Sequence, residues 1–285
     1  MGDAVLARQR QENIAQLVRE HGSIRVSALT ERFDVSHMTI RRDLETLARR
    51  GRLDKVHGGA VTAAHDGTAE PAFTEKRSRQ VPAKEAIAAA AARLVTPGSA
   101  VGLTAGTTTW TLARHLVDVP DITVVTNSVQ VAQVLHIHRR RGRTVVLTGG
   151  VRTPSDALVG PVAVTALRTL HVDVLFMGVH GMDARSGFTT PNPEEAETNR
   201  AMCRSARRTV VLADHTKWNT TGPAGIAPLG AADVLITDSG IDRHGRDVLE
   251  HGVGELIVAK PSRSSPRAVS RRPPAPPRPI EGART

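Results

Sequence analysis

The run Val35-Ser36-His37-Met38-Thr39-Ile40-Arg41-Arg42-Asp43-Leu44 constrains this chain more than any other stretch of it. Ser36 is a good N-cap for a helix that follows. On that helix Ile40, Leu44 and Leu47 fall within about 60° of one another at ~100° per residue, so an apolar stripe faces a small core. Met38, Arg42, Glu45 and Arg49 project to the opposite side, with Thr39 and Arg41 on the flanks. Upstream, Val26, Leu29 and Phe33 recur at three- and four-residue spacing, which reads as a second short helix ending at the turn Asp34-Val35-Ser36. Two adjacent arginines in the first turns of an exposed helix are badly placed for the helix dipole. A bound polyanion offsets that cost, and the DNA major groove accepts such a helix with its N-terminal residues leading.

A solvated basic face on an ordinary helical hairpin has the same spacing, so the next segment matters. Gly51-Arg52-Leu53-Asp54-Lys55-Val56-His57-Gly58-Gly59-Ala60 alternates like a strand and closes on two glycines. It reads as a β-hairpin wing of the kind that lies along a phosphate backbone. V-S-x-x-T-I-R-R-D-L followed by H-G-G-A resembles the DeoR family of bacterial transcriptional regulators. The resemblance implies a winged helix-turn-helix over residues 1–61, with the helix-turn-helix at 24–43 and the wing at 51–60, joined to a C-terminal sugar-phosphate sensor. The expected DNA contacts are Ser36, His37, Met38, Thr39, Arg41, Arg42, Arg49, Arg52, Lys55 and His57. The expected partner is double-stranded operator DNA. Two recognition helices on one operator imply a homo-oligomer, a dimer or tetramer.

The net charge of +10 is unevenly spread. Residues 1–60 hold 11 Lys/Arg against 8 Asp/Glu, and residues 261–285 hold 6 against 1. The 200 residues between them carry 21 against 19, so the basic character belongs to the ends. Cys203 is the single cysteine, which fits a reducing compartment. No apolar run has signal-peptide or membrane-spanning length, and the reading is a soluble, cytoplasmic protein with no membrane partner. Tyrosine is absent and aromatics make up 2%, which argues against base stacking and leaves helix-in-groove readout.

The chain before and after this module also has a legible order. A first helix is expected over about 4–21, with Ile14, Leu17 and Val18 buried and Gly22 as its stop; Arg8 and Arg10 either touch phosphate or are solvated. Residues 62–75 read as a linker. An alanine-rich helix over about 83–94 suits close packing against a sheet or a second subunit. From Ser99 onward, short β-branched runs alternate with helical segments. Strands are expected at 101–103, 122–126, 144–147, 172–177, 209–212, 234–237 and 256–258; helices at 107–116, 129–135, 162–170 and 194–205. That pattern means an α/β domain over 76–260, a mostly parallel sheet covered on both faces. The family resemblance adds an isomerase-like fold. Pro261 to Thr285 carries 7 of the 17 prolines and reads as a disordered basic tail.

Ligands of such sheets bind beyond the carboxyl ends of the strands. Leu103-Thr104-Ala105-Gly106-Thr107-Thr108-Thr109 runs from strand end to helix start, where free N–H groups and threonine hydroxyls suit a phosphate; the plainer alternative is a threonine N-cap. Asn127, Gly149, Gly150 and Gly178 occupy other strand-end loops, and Asp214-His215-Thr216-Lys217 resembles the family's D-x-[ST]-K. The expected effector residues are therefore Thr104, Gly106, Thr107, Thr108, Thr109, Asn127, Gly149, Gly150, Gly178, Asp214 and Lys217. Thr104 stands where many family members carry Asp, and Asn199 where Lys is common. Both differences remove charge from the presumed pocket. His136 and His138 are two apart on a helix and point about 200° from each other, so no metal and no cofactor is expected. Three functions compete: a regulator of carbohydrate-metabolism genes sensing a phosphorylated sugar or related metabolite; a sugar-phosphate isomerase carrying a DNA-binding appendage; and a nonspecific nucleic-acid binder driven by its basic ends.

Overall fold

The computed structural model describes residues 2–49, 53–56, 58–61, 73–138 and 140–260. Arg52, His57, the Arg49 side chain and the tail 261–285 lie outside the described residues. The first body is α1 (Gly2–His21), β1 (Ser23–Arg25), α2 (Val26–Phe33), α3 (His37–Arg49), β2 (Asp54–Val56) and β3 (Gly59–Val61). Gly22 ends α1 at φ +75°, its N–H donating to the Val18 carbonyl at 2.9 Å. Asp34 takes the left-handed conformation that closes α2, one of the few non-glycine residues suited to it. Ile14, Val18, Leu29, Ile40, Leu44 and Leu53 are fully buried together, which is the core the two periodic stripes require.

The helix-turn-helix was expected to start at Ile24, but Ile24 and Arg25 belong to strand β1, which pairs antiparallel with β3. Strand β3 is central, with β2 on its other side, so the wing is three-stranded. Gly59 is what permits it: a Cβ there would lie 2.4 Å from the Ile24 carbonyl oxygen. Pairing across a turn this distant leaves no local signature in so short a strand.

The second body begins with α4 (Phe73–Arg77) and α5 (Val81–Ala92). It continues through β4 (Ala100–Leu103), α6 (Thr107–His115), β5 (Thr123–Thr126), α7 (Val129–Ile137) and β6 (Thr144–Leu147). Then come β7 (Val151–Arg152), β8 (Leu158–Val159), α8 (Pro161–Leu167), β9 (Val174–Gly178), β10 (Gly181–Asp183), β11 (Gly187–Thr190) and α9 (Pro193–Ser205). The last elements are β12 (Thr209–Leu212), β13 (Ala224–Ala227), β14 (Val234–Asp238), α10 (Arg243–Gly252) and β15 (Leu256–Ala259), with 3₁₀ turns at His215–Lys217 and Leu229–Ala231.

Seven strands form one sheet in the order β15-β14-β12-β9-β4-β5-β6, every pair parallel. One apolar cluster includes Ile87, Leu112 and Val131 from α5, α6 and α7; another includes Leu167, Met202 and Leu249 from α8, α9 and α10. Sheet residues divide between the two clusters, so both faces are covered, as continuous β-branched runs demand. From β4 the chain moves outward to β5 and β6, then returns to place β9 on the other side of β4. This reversal opens a crevice at the carboxyl ends of β4 and β9.

Phe73 stacks edge-on against Trp110 of α6 at 6.0 Å, and Arg77 lies 4.3 Å from that ring, so the chain joins this body two residues before the expected end of the linker. The alanine-rich α5 packs on α6 and on the sheet of its own chain, which decides between the two partners open to it. The antiparallel sheet β10-β11-β13, the pair β7-β8 and α10 had no counterpart in the reading of the sequence. They are short or glycine-containing, and α10 buries only Gly245 and Leu249.

Candidate functional site

On α3 the exposed surface carries His37, Met38, Arg41 and Arg42, while Thr39 is half-buried. Ser36 caps the helix: its hydroxyl accepts from the Thr39 N–H at 3.2 Å and lies 2.9 Å from the Thr39 hydroxyl. Met38 is 70% exposed at the leading turn, beside the arginines. Asp43, in the same run, points the other way and is buried. Its carboxylate accepts from Arg10 Nε at 2.6 Å and Gln11 Nε2 at 2.8 Å, which fixes α3 against α1. Arg10 is thereby a strut inside the domain, neither a free phosphate ligand nor a solvated cation. Lys55 on the wing pairs with Glu45 of α3 at 2.7 Å, an exposed link of wing to helix.

The crevice at the end of β4 has a definite build. The first turn of α6 starts at Gly106, which supplies no side-chain cap to the N–H groups of Thr107, Thr108 and Thr109. Gly106 and Gly178 stand opposite each other: a Cβ on either would sit 3.9 Å from the other's Cα. The Thr107 and Thr108 hydroxyls have no hydrogen-bond partner among the described residues. Thr109 departs from expectation, because its hydroxyl turns inward to the Thr104 carbonyl at 2.7 Å and the Gly106 carbonyl at 3.0 Å. The three threonines therefore do not converge on one point. Thr107 and Thr108 are buried with their hydroxyls unpaired, and Thr109 holds the turn.

Other expected effector residues are braces. The Thr104 hydroxyl accepts from the Gly178 N–H at 3.0 Å, joining the β4 and β9 loops. Asn127 is fully buried; it accepts from the Ala105 N–H at 2.8 Å and donates to the Leu158 carbonyl at 3.2 Å. Gly149 and Gly150 follow β6, two strands away from the crevice at the sheet's edge. Gly150, at φ +121°, has Val159 packed against it, with 2.4 Å left between a Cβ and the Val159 carbonyl. Gly150→Ala is expected to cost about 1–3 kcal/mol of stability, read as a lower Tm. An unchanged Tm would show that the turn relaxes freely.

On the other side of β9, the loop after β12 carries Asp214 to Lys217. Asp214 is buried and caps the 3₁₀ turn, accepting from the Thr216 N–H and hydroxyl. No ion pair joins it to Lys217 among the described residues. His215 donates its ring N–H to Asp238 at 2.8 Å, and that hydrogen bond holds its pKa above the ordinary value. Lys84 of α5 completes this end of the site. It is 5% exposed, its Nζ donates to the Lys76 carbonyl, and it lies within the field of Asp214 and Lys217. Burial pushes its pKa down to about 8, with Asp214 working in the opposite direction and Lys217, Arg79 and Lys76 adding to the fall. In the sequence Lys84 is a lone lysine before an alanine run. A cation at an otherwise buried helix position is the signal that points to it. Asn199, noted in the sequence for replacing a lysine, is buried on α9, and its side-chain oxygen has no hydrogen-bond partner among the described residues.

A winged helix with an arginine-bearing α3, followed by a parallel α/β body with a polar crevice at its switch point, defines a two-part DNA-binding regulator with a sensor domain. Residues 10–65 match the model of the DeoR-like helix-turn-helix domain, and residues 79–239 that of the DeoR C-terminal sensor domain. The chain belongs to the DeoR family of transcriptional regulators. It is 36% identical over 239 residues to the uncharacterized HTH-type transcriptional regulator YulB of Bacillus subtilis, covering 84% of this chain and 91% of that one. It is 34% identical to the putative aga operon transcriptional repressor of Escherichia coli O157:H7, covering 88% and 93%. It is also 35% identical to the HTH-type transcriptional regulator GlpR of Haloferax volcanii, covering 89% and 98%. Among solved structures, ribose 5-phosphate isomerase A from Methanocaldococcus jannaschii aligns at 17% identity and a TM-score of 0.36, over 48% of this chain and 54% of that one. Among the described residues no helix is long and apolar enough to cross a membrane.

Proposed function

We propose that this regulator is a repressor that reads operator DNA through Met38, Arg41 and Arg42 of α3. Ser36, His37, Thr39 and the wing set its position on the phosphate backbone. A phosphorylated sugar or related metabolite in the crevice changes its operator affinity through different affinities for two states of the protein. The observation that carries the effector reading is the first turn of α6, which has no side-chain cap, with the buried Thr107 and Thr108 hydroxyls left without a hydrogen-bond partner among the described residues. Strands β4 and β12 are separated only by β9, so this turn and the Asp214–Lys217–Lys84 cluster stand about 10 Å apart across the sheet. That span suits a phosphate at one end and sugar hydroxyls at the other.

Catalysis finds less support. Three carboxylates that could serve as a base are engaged: Glu195 with the Thr190 hydroxyl at 2.9 Å, Glu197 with Arg200 at 2.8 Å, and Asp214 with Thr216. An aldose–ketose isomerase needs a carboxylate free to take a proton. The reading is tested by gel shift on the DNA upstream of the protein's own gene, with a panel of sugar phosphates added. Specific, effector-sensitive binding is expected. Turnover of a sugar phosphate, or binding that does not distinguish this DNA from bulk DNA, would overturn it. Thr107→Ala with Thr108→Ala is expected to leave DNA binding intact and to weaken the effector response at least about tenfold, since each hydrogen bond to a charged group contributes ~1.5–3 kcal/mol. An unaltered response sinks the α6 assignment.

A further inference from the structure

Helix α4 is the first element that follows the winged helix along the chain, and both halves of the effector crevice hold it. One hold comes from α6. The buried Phe73 ring meets Trp110 edge-on at 6.0 Å, and the Arg77 guanidinium lies 4.3 Å from the centre of the same ring. Trp110 follows Thr107, Thr108 and Thr109 directly, and its N–H donates to the Gly106 carbonyl at 3.0 Å, so the ring rides on the first turn of α6. The other hold comes from α5. Lys84 Nζ donates to the Lys76 carbonyl at 2.5 Å, a bond that closes the chain reversal between α4 and α5. That reversal is built without glycine: Gln80 sits at φ +52°, a conformation uncommon for a residue with a side chain. Beyond these holds α4 has little to fix it, since Phe73 is its one buried residue.

We propose that α4 couples the crevice to the winged helix, with the Lys84–Lys76 hydrogen bond as the contact that switches. The proposal rests on the effector reading. The buried Lys84 ammonium has three N–H donors and, among the described residues, a single acceptor, the Lys76 carbonyl. A charged effector oxygen accepts a hydrogen bond roughly twice as strong as a neutral carbonyl does. A sugar phosphate beside Asp214 and Lys217 therefore draws the ammonium toward the crevice and away from α4. At the other half, a phosphate on Thr107 and Thr108 fixes the turn that carries Trp110, against which Phe73 and Arg77 are seated. Helix α4 thus has two arrangements, held or released at Lys76, and the ligand favours the second by binding it better. Residues 62–72 join β3 to α4, so the change reaches the winged helix along the chain itself.

The test separates coupling from binding in the full-length protein. The probes are glucose 6-phosphate, fructose 6-phosphate and ribose 5-phosphate. The readout is the ratio of operator affinities without and with saturating probe, with probe affinity in the absence of DNA measured by calorimetry. The wild-type ratio is expected to differ from one by about 5- to 150-fold. Phe73→Ala is expected to bring the ratio to within about twofold of one, while probe affinity changes less than about threefold because Thr107, Thr108 and Lys84 are kept. If Phe73→Ala fails to fold, Arg77→Ala, at an exposed position, is expected to reduce the effect about two- to fivefold, the worth of a cation–π contact. Glu75→Ala, exposed on the same helix, is expected to keep the wild-type ratio. Folded Phe73 and Arg77 variants with an unchanged ratio overturn the coupling role and leave the effector reading standing. Variants that lose probe affinity together with the response also overturn it, since α4 would then belong to the binding site. A wild type that binds operator and responds to none of the probes contradicts the effector reading, and the coupling role falls with it.

Discussion

Arg42→Ala is expected to lower operator affinity about a hundredfold and to leave the fold intact. A bidentate arginine–guanine contact carries ~1–3 kcal/mol of discrimination, and an operator read by two recognition helices meets the residue twice. Arg42 is exposed on the side of α3 away from Ile40, Leu44 and Leu47, so its loss leaves the core untouched. Surface substitutions of this kind move stability by no more than about 0.5 kcal/mol. The measurement is a competition gel shift at fixed salt, with operator and unrelated DNA side by side. The ratio of the two affinities should fall, because a base contact carries specificity, whereas a phosphate contact weakens both DNAs alike. A folded Arg42→Ala protein with an unchanged shift would mean that α3 does not lead into the groove.

Lys84→Met is expected to give the second large effect, with opposite signs in stability and in ligand affinity. Lys84 titrates near 8 in the folded chain, against 10.5 for an ordinary lysine. Between those values the unfolded chain holds more protons than the folded one, so the stability of the free protein rises with pH across the window. The gap amounts to roughly 3 kcal/mol at 1.36 kcal/mol per pH unit. Lys84→Met removes the buried charge. The variant is therefore expected to be more stable than the wild type below pH 8, the difference shrinking as pH approaches 10.5. An effector that accepts hydrogen bonds from the protonated amine raises the lysine's pKa, so wild-type affinity falls as pH rises above about 8. Lys84→Met should lose most of that affinity at pH 7. Thermal melts of both proteins from pH 7 to 10.5 test the first half, and calorimetric titration with sugar phosphates tests the second. A difference in Tm that stays flat across the window would mean that the amine is solvated. Unchanged ligand affinity would place the effector elsewhere.

The two bodies were legible to different depths. In α3 the apolar stripe and the exposed arginines follow from a period of 3.6 residues, and the structure buries Ile40, Leu44 and Leu47 and leaves Arg41 and Arg42 exposed. The β4–α6 turn was equally visible as a strand end meeting a helix start. The direction of single side chains within it was not. Thr107, Thr108 and Thr109 look alike in sequence, yet the Thr109 hydroxyl returns to its own backbone because the Thr104 and Gly106 carbonyls lie within reach. Asn127 reads as a ligand and serves as a brace, since the loop after β4 and strand β8 meet at its side chain.

Local periodicity and turn chemistry determined the helix-turn-helix, the alternating strands and helices, and the place of the crevice, since each depends on residues a few positions apart. Only the tertiary structure decided that Ile24 extends the wing, that Arg10 anchors Asp43, and that Lys84 joins Asp214 and Lys217 at one end of the site. In each case the residues are brought together by sheet order and helix packing. Hydrogen bonds, desolvation and Coulomb fields depend on distance in space, which spacing along the chain does not encode.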